Sequence, residues 1–156
     1  PFIISPPDFV YYSNYSNDIK AFDYSVASEN SQEVLHEFFE SYPLNDRVAL
    51  CFYSTKCEYC QKLARKLKIV SEKYEFQDKI LQVFAGTEDG VNRFYDESES
   101  DEHPYVIIPI IDLVKLTNRS MPKVFLIKNG HIEFEFAYRN LSEKELANFF
   151  SMNNSN

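Results

Sequence analysis

Two cysteines, Cys57 and Cys60, stand three positions apart in the run CFYSTKCEYCQKLARKL, where an apolar stretch gives way to a basic segment with leucines at helical spacing. A cysteine at the mouth of a helix meets unpaired backbone N–H groups and the positive end of the macrodipole, and both stabilise its thiolate. Cys57 therefore reads as a nucleophile. Cys60, nearly one turn further in, is placed to attack a mixed disulfide formed at Cys57 and reads as the shielded, resolving thiol. Lys56 adds positive charge beside the nucleophile and Glu58 opposes it, so the two modulate its pKa in opposite directions. A zinc reading of the pair would need four ligands, usually from a second Cys/His pair at suitable spacing, and no such pair is present; no metal site is expected. His36 falls on the outer side of a helix, His103 in an acidic loop and His131 at a hairpin, all of them surface positions. The third cysteine, Cys51, lies in an apolar run and reads as a small buried core residue.

The elements around the pair follow from periodicity. RVALCFY (47–53) is a nearly unbroken apolar run of strand length, as in an interior strand covered on both faces. From Cys57 onward Tyr59, Leu63, Leu67, Val70 and Tyr74 recur at helical spacing, with Lys62, Arg65, Lys66 and Lys68 largely between them. Upstream, AFDYSVAS (21–28) predicts a strand. NSQEVLHEFFE predicts a helix capped by Asn30, with Glu33 three residues on and Val34, Leu35, Phe38 and Phe39 facing inward. Downstream, KILQVFA (79–85) predicts a strand, TEDGVNRF opens a short helix, and the acidic run 96–102 reads as a solvated loop. After the apolar VIIPII, Pro122 leads into KVFLIK, Asn129-Gly130 makes a hairpin turn, and Ile132, Phe134, Phe136 and Tyr138 alternate with polar residues. Ser142 with Glu145 caps a last helix carrying Leu146, Phe149 and Phe150.

At 156 residues, one domain is the economical reading. Hydrophobic content of 44% and aromatic content of 16% exclude a disordered chain, and no window is apolar for long enough to span a membrane. A formal charge of -8 argues against a general nucleic-acid or anionic-membrane binder. Residues 1–20 predict an irregular lead-in and 151–156 a disordered tail. PFIISPPDF carries no signal-peptide pattern, and a start at Pro1 leads to the expectation that an upstream segment was removed by processing or truncation.

With VALCFYSTKCEYCQKLARKL followed much later by SMPKVFLIKNGHI, the chain resembles the thioredoxin family over about residues 21–150. The CxxC at a strand-to-helix junction and the proline preceding KVFLIKNG carry that resemblance. It implies an α/β three-layer sandwich with a mixed central sheet, an N-terminal extension, and an insertion at about 86–111 near the sheet edge. It also implies that the Met121-Pro122 bond is cis beside the CxxC, that Met121 backbone groups pair with an extended substrate segment, and that Pro122 and Tyr59 belong to the same substrate surface. The implied function is a thiol-disulfide oxidoreductase without a cofactor, exchanging disulfides with protein substrates and with an upstream redox donor or acceptor. The alternative is a thioredoxin-fold binding module whose cysteines are vestigial. The resemblance extends to extracytoplasmic members, which implies a periplasmic, secreted or membrane-tethered location and leaves room for an anchor upstream; the alternative is a cytoplasmic one. Four positions depart from the thioredoxin pattern: Cys51 stands where a buried aspartate is common, Lys56 replaces a tryptophan, and Glu58-Tyr59 replaces Gly-Pro. The CxYC form resembles glutaredoxins and some periplasmic disulfide isomerases, but a glutaredoxin-like Gly-Gly pair after the hairpin is missing.

Overall fold

Strand β2 (Arg47–Ser54) runs through the middle of the sheet because its side chains are buried on both faces. Val48, Leu50 and Phe52 enter one core, and Ala49, Cys51 and Tyr53 enter the other. Alternation along a strand sends successive side chains to opposite faces, so an unbroken apolar run suits only a strand with a helical layer on each side. Full burial of a residue such as Leu50 or Phe52 contributes roughly 1.5–3 kcal/mol.

The computed structural model describes residues 20–151, so nearly all of the expected lead-in and tail lies outside the described residues. The remaining elements are β1 (Lys20–Ala21), α1 (Glu29–Ser41), α2 (Glu58–Tyr74), a 3-10 turn (Gln77–Lys79), β3 (Ile80–Ala85), α3 (Glu88–Ser98) and β4 (Tyr105–Ile107), followed by α4 (Ile110–Leu116), β5 (Lys123–Lys128), β6 (His131–Ala137) and α5 (Glu143–Ser151). The six strands form one mixed sheet in the order β1-β6-β5-β2-β3-β4. β2, β3 and β4 are parallel, whereas β5 is antiparallel to β2 and β6 to β5. Helices α2, α3 and α5 cover one face around Leu63, Leu67, Phe94 and Leu146. Helices α1 and α4 cover the other around Leu35, Phe38, Leu113 and Leu116. This is the three-layer α/β sandwich with a mixed sheet that the resemblance implies.

Several local expectations are corrected. The strand at 21–28 shrinks to β1, which pairs with the start of β6. Beyond it the Asp23 carboxylate accepts from Ser25 N–H and Ala27 N–H bonds to Tyr24 C=O, turning the chain out of the ladder. Phe22 and Tyr24 nonetheless pack on the second core. Helix α1 is capped by Ser28 rather than Asn30, and Val34 is exposed while Leu35 and Phe38 are buried. The acidic run 96–102 is only partly a loop. Its first residues finish α3, and Glu97 and Glu99 accept from Gln61 and Arg65 of α2. In the hairpin, a bulge between Leu126 and Ile127 shifts the register, and Phe134 is left exposed. His103 is half-buried rather than on the surface, and burial pulls its imidazole below the ordinary histidine range.

The segment 86–111 contains α3 and β4, and β4 is the edge strand next to β3. Helix α4, which follows β4, packs on the sheet through Leu113 and Leu116 and is tied to α1 by a buried carboxylate. Asp112 accepts from Ser28 N–H at 2.9 Å, Ser28 Oγ at 2.8 Å and Ser31 Oγ at 2.5 Å, at the N-terminus of α1. Burial pushes the Asp112 carboxyl up, but the bonds from Ser31 and Ser28 outweigh it and hold the carboxyl below its usual range.

Candidate active site

Strand β2 ends at Ser54, and the next three residues turn the chain into α2. Thr55 N–H bonds to Ala85 C=O, and Cys57 N–H bonds to Ser54 C=O. The turn leaves Cys57 at the N-cap of α2 with extended backbone (φ -99, ψ 117), and its Sγ accepts from Cys60 N–H at 3.2 Å. Sulfur thus fills a place usually taken by a serine or aspartate oxygen. A thiolate satisfies that role better than a thiol, because unpaired N–H groups and the helix dipole favour negative charge.

The two thiols differ sharply. Cys57 is half-buried, and its pKa is pulled from an ordinary 9.0 down to about 6. The largest cause is the hydrogen bond from the Cys60 thiol, and burial opposes it. The N–H groups of Cys60 and Tyr59 add to the lowering, and Glu58 works against it. Lys56 stands exposed in the turn and is not among the main sources of the shift, so hydrogen bonds rather than its ammonium activate the sulfur. Cys60 is 0% exposed, and burial followed by the Cys57 bond pushes its thiol far up. Both are unbridged thiols in this structure, as is Cys51. Cys51 pairs with Val124 and Gln82 on neighbouring strands, is fully buried, and is pushed up to about 12 by that burial.

Solved structures of low identity share this architecture. The thioredoxin domain of a thiol-disulfide oxidoreductase from Bacteroides vulgatus matches with a TM-score of 0.54 at 17% identity, covering 75% of this chain and 81% of that one. A secreted disulfide oxidoreductase from Mycobacterium tuberculosis matches with a TM-score of 0.51 at 12% identity, covering 68% of this chain and 81% of that one. The chain has the thioredoxin fold. Among curated proteins, TlpB of Flavobacterium psychrophilum is 34% identical over 88 residues. That match covers 54% of this chain but 24% of the relative, so the chain spans about a quarter of the length of the protein it resembles. No protein-family model matches.

Within the thioredoxin fold the other sequence-derived residues take these places. The Met121-Pro122 peptide bond is cis, and the register Lys123 to Phe52 sets it beside the end of β2 from which the cysteines emerge. Pro122 is buried, while Met121 is half-buried and borders both cores, one of which Cys57 also borders. Tyr59, expected on the inner stripe of α2, is 54% exposed instead, because a helix starting after Cys57 turns Cys60 inward. Its ring lies 5.1 Å from that of Tyr138, with Lys62 Nζ 5.2 Å from its centroid. Among the described residues no three His, Cys, Asp or Glu side chains come together as a metal site.

Sequence reasoning missed Tyr138 and Lys62 beside Tyr59, and the wall of residues 107–110 that lines an open groove together with Thr55 and Lys56 of the active-site turn. Tyr138 carried one available signal, its place just past the end of β6 on the apolar phase of the strand. The wall carried none, since it meets the active-site turn only through the parallel register of three strands.

Proposed function

We propose that the protein is a thiol-disulfide oxidoreductase acting on protein substrates through Cys57 and Cys60. The observation that carries this is the asymmetry of the pair: a helix-capping, accessible sulfur pulled down to about 6 beside a buried thiol pushed up. In the reducing direction the Cys57 thiolate attacks one sulfur of a substrate disulfide. The other substrate sulfur leaves as a thiolate and takes a proton. Cys60 then loses its proton and attacks the Cys57 sulfur, which forms the Cys57-Cys60 disulfide and releases the second substrate thiol. The substrate gains two electrons and the protein loses them, until an upstream dithiol donor restores the pair. Oxidation of substrate thiols is the same sequence reversed. Met121, at the edge of the core that Cys57 also borders, and the exposed Tyr59 serve as substrate-facing surface, with the buried Pro122 holding the Met121 backbone in place.

Cys51 takes no part, because a thiol held at about 12 is protonated and unreachable. The location that suits this chemistry is extracytoplasmic, where substrates carry disulfides. No helix among the described residues is long and apolar enough to cross a membrane. Cys60→Ser tests the mechanism. It should accumulate mixed disulfides with partner proteins through Cys57, released by dithiothreitol and absent in Cys57→Ser. Recovery of no such adducts from the native compartment would favour a binding module with idle cysteines.

A further inference from the structure

The carboxyl ends of β2, β3 and β4 meet in an open groove of about 590 Å³. Its volume falls in the range of ligand sites, roughly 300–1,000 Å³, and crevices at this end of parallel strands are where α/β folds hold ligands. The floor is the active-site turn itself, Thr55 and Lys56, which runs directly into Cys57. Gly86 closes the floor from the β3 side. Its φ is +149, and a Cβ there would lie 2.3 Å from Thr55 Oγ1, so backbone rather than side chain packs against the turn. The far wall is aliphatic, with Ile107 at the end of β4 and Ile110 at the start of α4. Ile110 is 50% exposed and its neighbour Ile111 62%, an apolar patch across the groove from the active-site turn. Lys56 is the one charged residue lining the groove, and its ammonium has no ion-pair or hydrogen-bond partner among the described residues.

We infer that this groove seats the extended substrate segment flanking the target cysteine, with a branched aliphatic side chain against Ile107 and Ile110 and a carboxylate beside Lys56. The inference rests on the proposed role of Cys57, which names the occupant by what the sulfur attacks. Position supports a polypeptide. β5, with Met121 and Pro122 before it, lies on one side of β2, and β3 and β4 lie on the other. A segment crossing Met121 to reach Cys57 therefore continues into the groove. Chemistry supports it too. A small charged disulfide such as oxidised glutathione brings two carboxylates and an ammonium in each half, and one lysine beside an aliphatic wall cannot satisfy them. An aliphatic side chain next to an acidic one suits both features. The groove would then select substrates by the residues around the cysteine, a task separate from the thiol chemistry.

The test uses two peptides joined by a disulfide to the same chromogenic thiol, one with Ile and Glu flanking the cysteine and one with Ser and Lys. A small aromatic disulfide serves as the reference. Wild type should favour the Ile/Glu peptide in kcat/KM by about tenfold, a factor within reach of one buried aliphatic contact. Ile110→Asp should abolish the gain from Ile measured relative to the reference disulfide. Lys56→Glu should turn a preference for Glu into one for Lys. Equal rates for the two peptides in wild type, or a preference unchanged in Ile110→Asp, would overturn the groove. The Ile/Glu peptide with serine in place of cysteine provides a readout without turnover. It should shift the amide signals of Thr55, Lys56, Ile108 and Ile110, and those shifts should vanish in Ile110→Asp. If wild type turns over no disulfide but the shifts appear, the oxidoreductase reading fails and the groove stands. If no shift appears there, the groove is rejected whatever the turnover.

Discussion

At the scale of single residues, the behaviour of the three cysteines is decided by what surrounds each sulfur. Cys57 caps a helix and is pulled down to about 6, Cys60 is buried behind it, and Cys51 sits in the core at about 12. Because the folded thiol of Cys57 ionises well below the ordinary 9.0, its thiolate fraction rises as pH rises through about 6 and is nearly complete at neutral pH. Iodoacetamide should therefore modify Cys57 alone in the reduced protein, with a rate that climbs between about pH 5 and 7 and then levels off. Mass spectrometry of the alkylated peptides checks this. First labelling at Cys60 or Cys51, or a rate still climbing near pH 9, would contradict the assignment. Cys51→Ala should leave turnover unchanged and cost roughly 1 kcal/mol in denaturant unfolding, the scale of one small buried group. A folded Cys51→Ala protein with a large loss of turnover would make Cys51 a redox participant.

At the scale of elements, the site depends on how segments far apart in sequence are fastened. Asp112 ties α4 to the N-terminus of α1 across 84 positions, and α4 carries Ile110 into the groove wall. Hydrogen bonds to a buried charge are worth roughly 1.5–3 kcal/mol, so Asp112→Ala should lower stability by about 2 kcal/mol near neutral pH. Its folded carboxyl lies below the unfolded one, so this contribution is complete above the unfolded pKa and is lost as pH falls through the folded value. The gap between wild type and Asp112→Ala, followed by urea unfolding, should thus close in acid; a gap constant down to pH 2 would contradict the role of the charge. Such long-range fastenings left no mark in the sequence. Elements written in local periodicity were legible: the nearly unbroken apolar run of β2, the leucine spacing of α2, and the Asn129-Gly130 turn with both residues at positive φ. Where the structure differed, a local competitor had won. The turn at Asp23 cut short a strand whose aromatic alternation was real, and the phase of α2 was set by its cap, which put Cys60 inward and Tyr59 outward.

At the scale of the whole molecule, the thioredoxin fold brings the ends of β2, β3 and β4, the N-terminus of α2 and the Met121-Pro122 link to one end of the sheet. The CxxC and the proline before KVFLIK pointed to that arrangement through the thioredoxin resemblance that the two motifs carry together. The groove did not, since its floor and wall are about fifty residues apart and meet only through strand pairing. The most direct measurement is reduction of insulin disulfides with dithiothreitol as donor, comparing wild type with Cys57→Ser at matched stability. Wild type should accelerate the reaction well above the donor alone, and Cys57→Ser should return it to that background. Equal rates for the two proteins, or no acceleration by wild type, would contradict a catalytic Cys57-Cys60 pair.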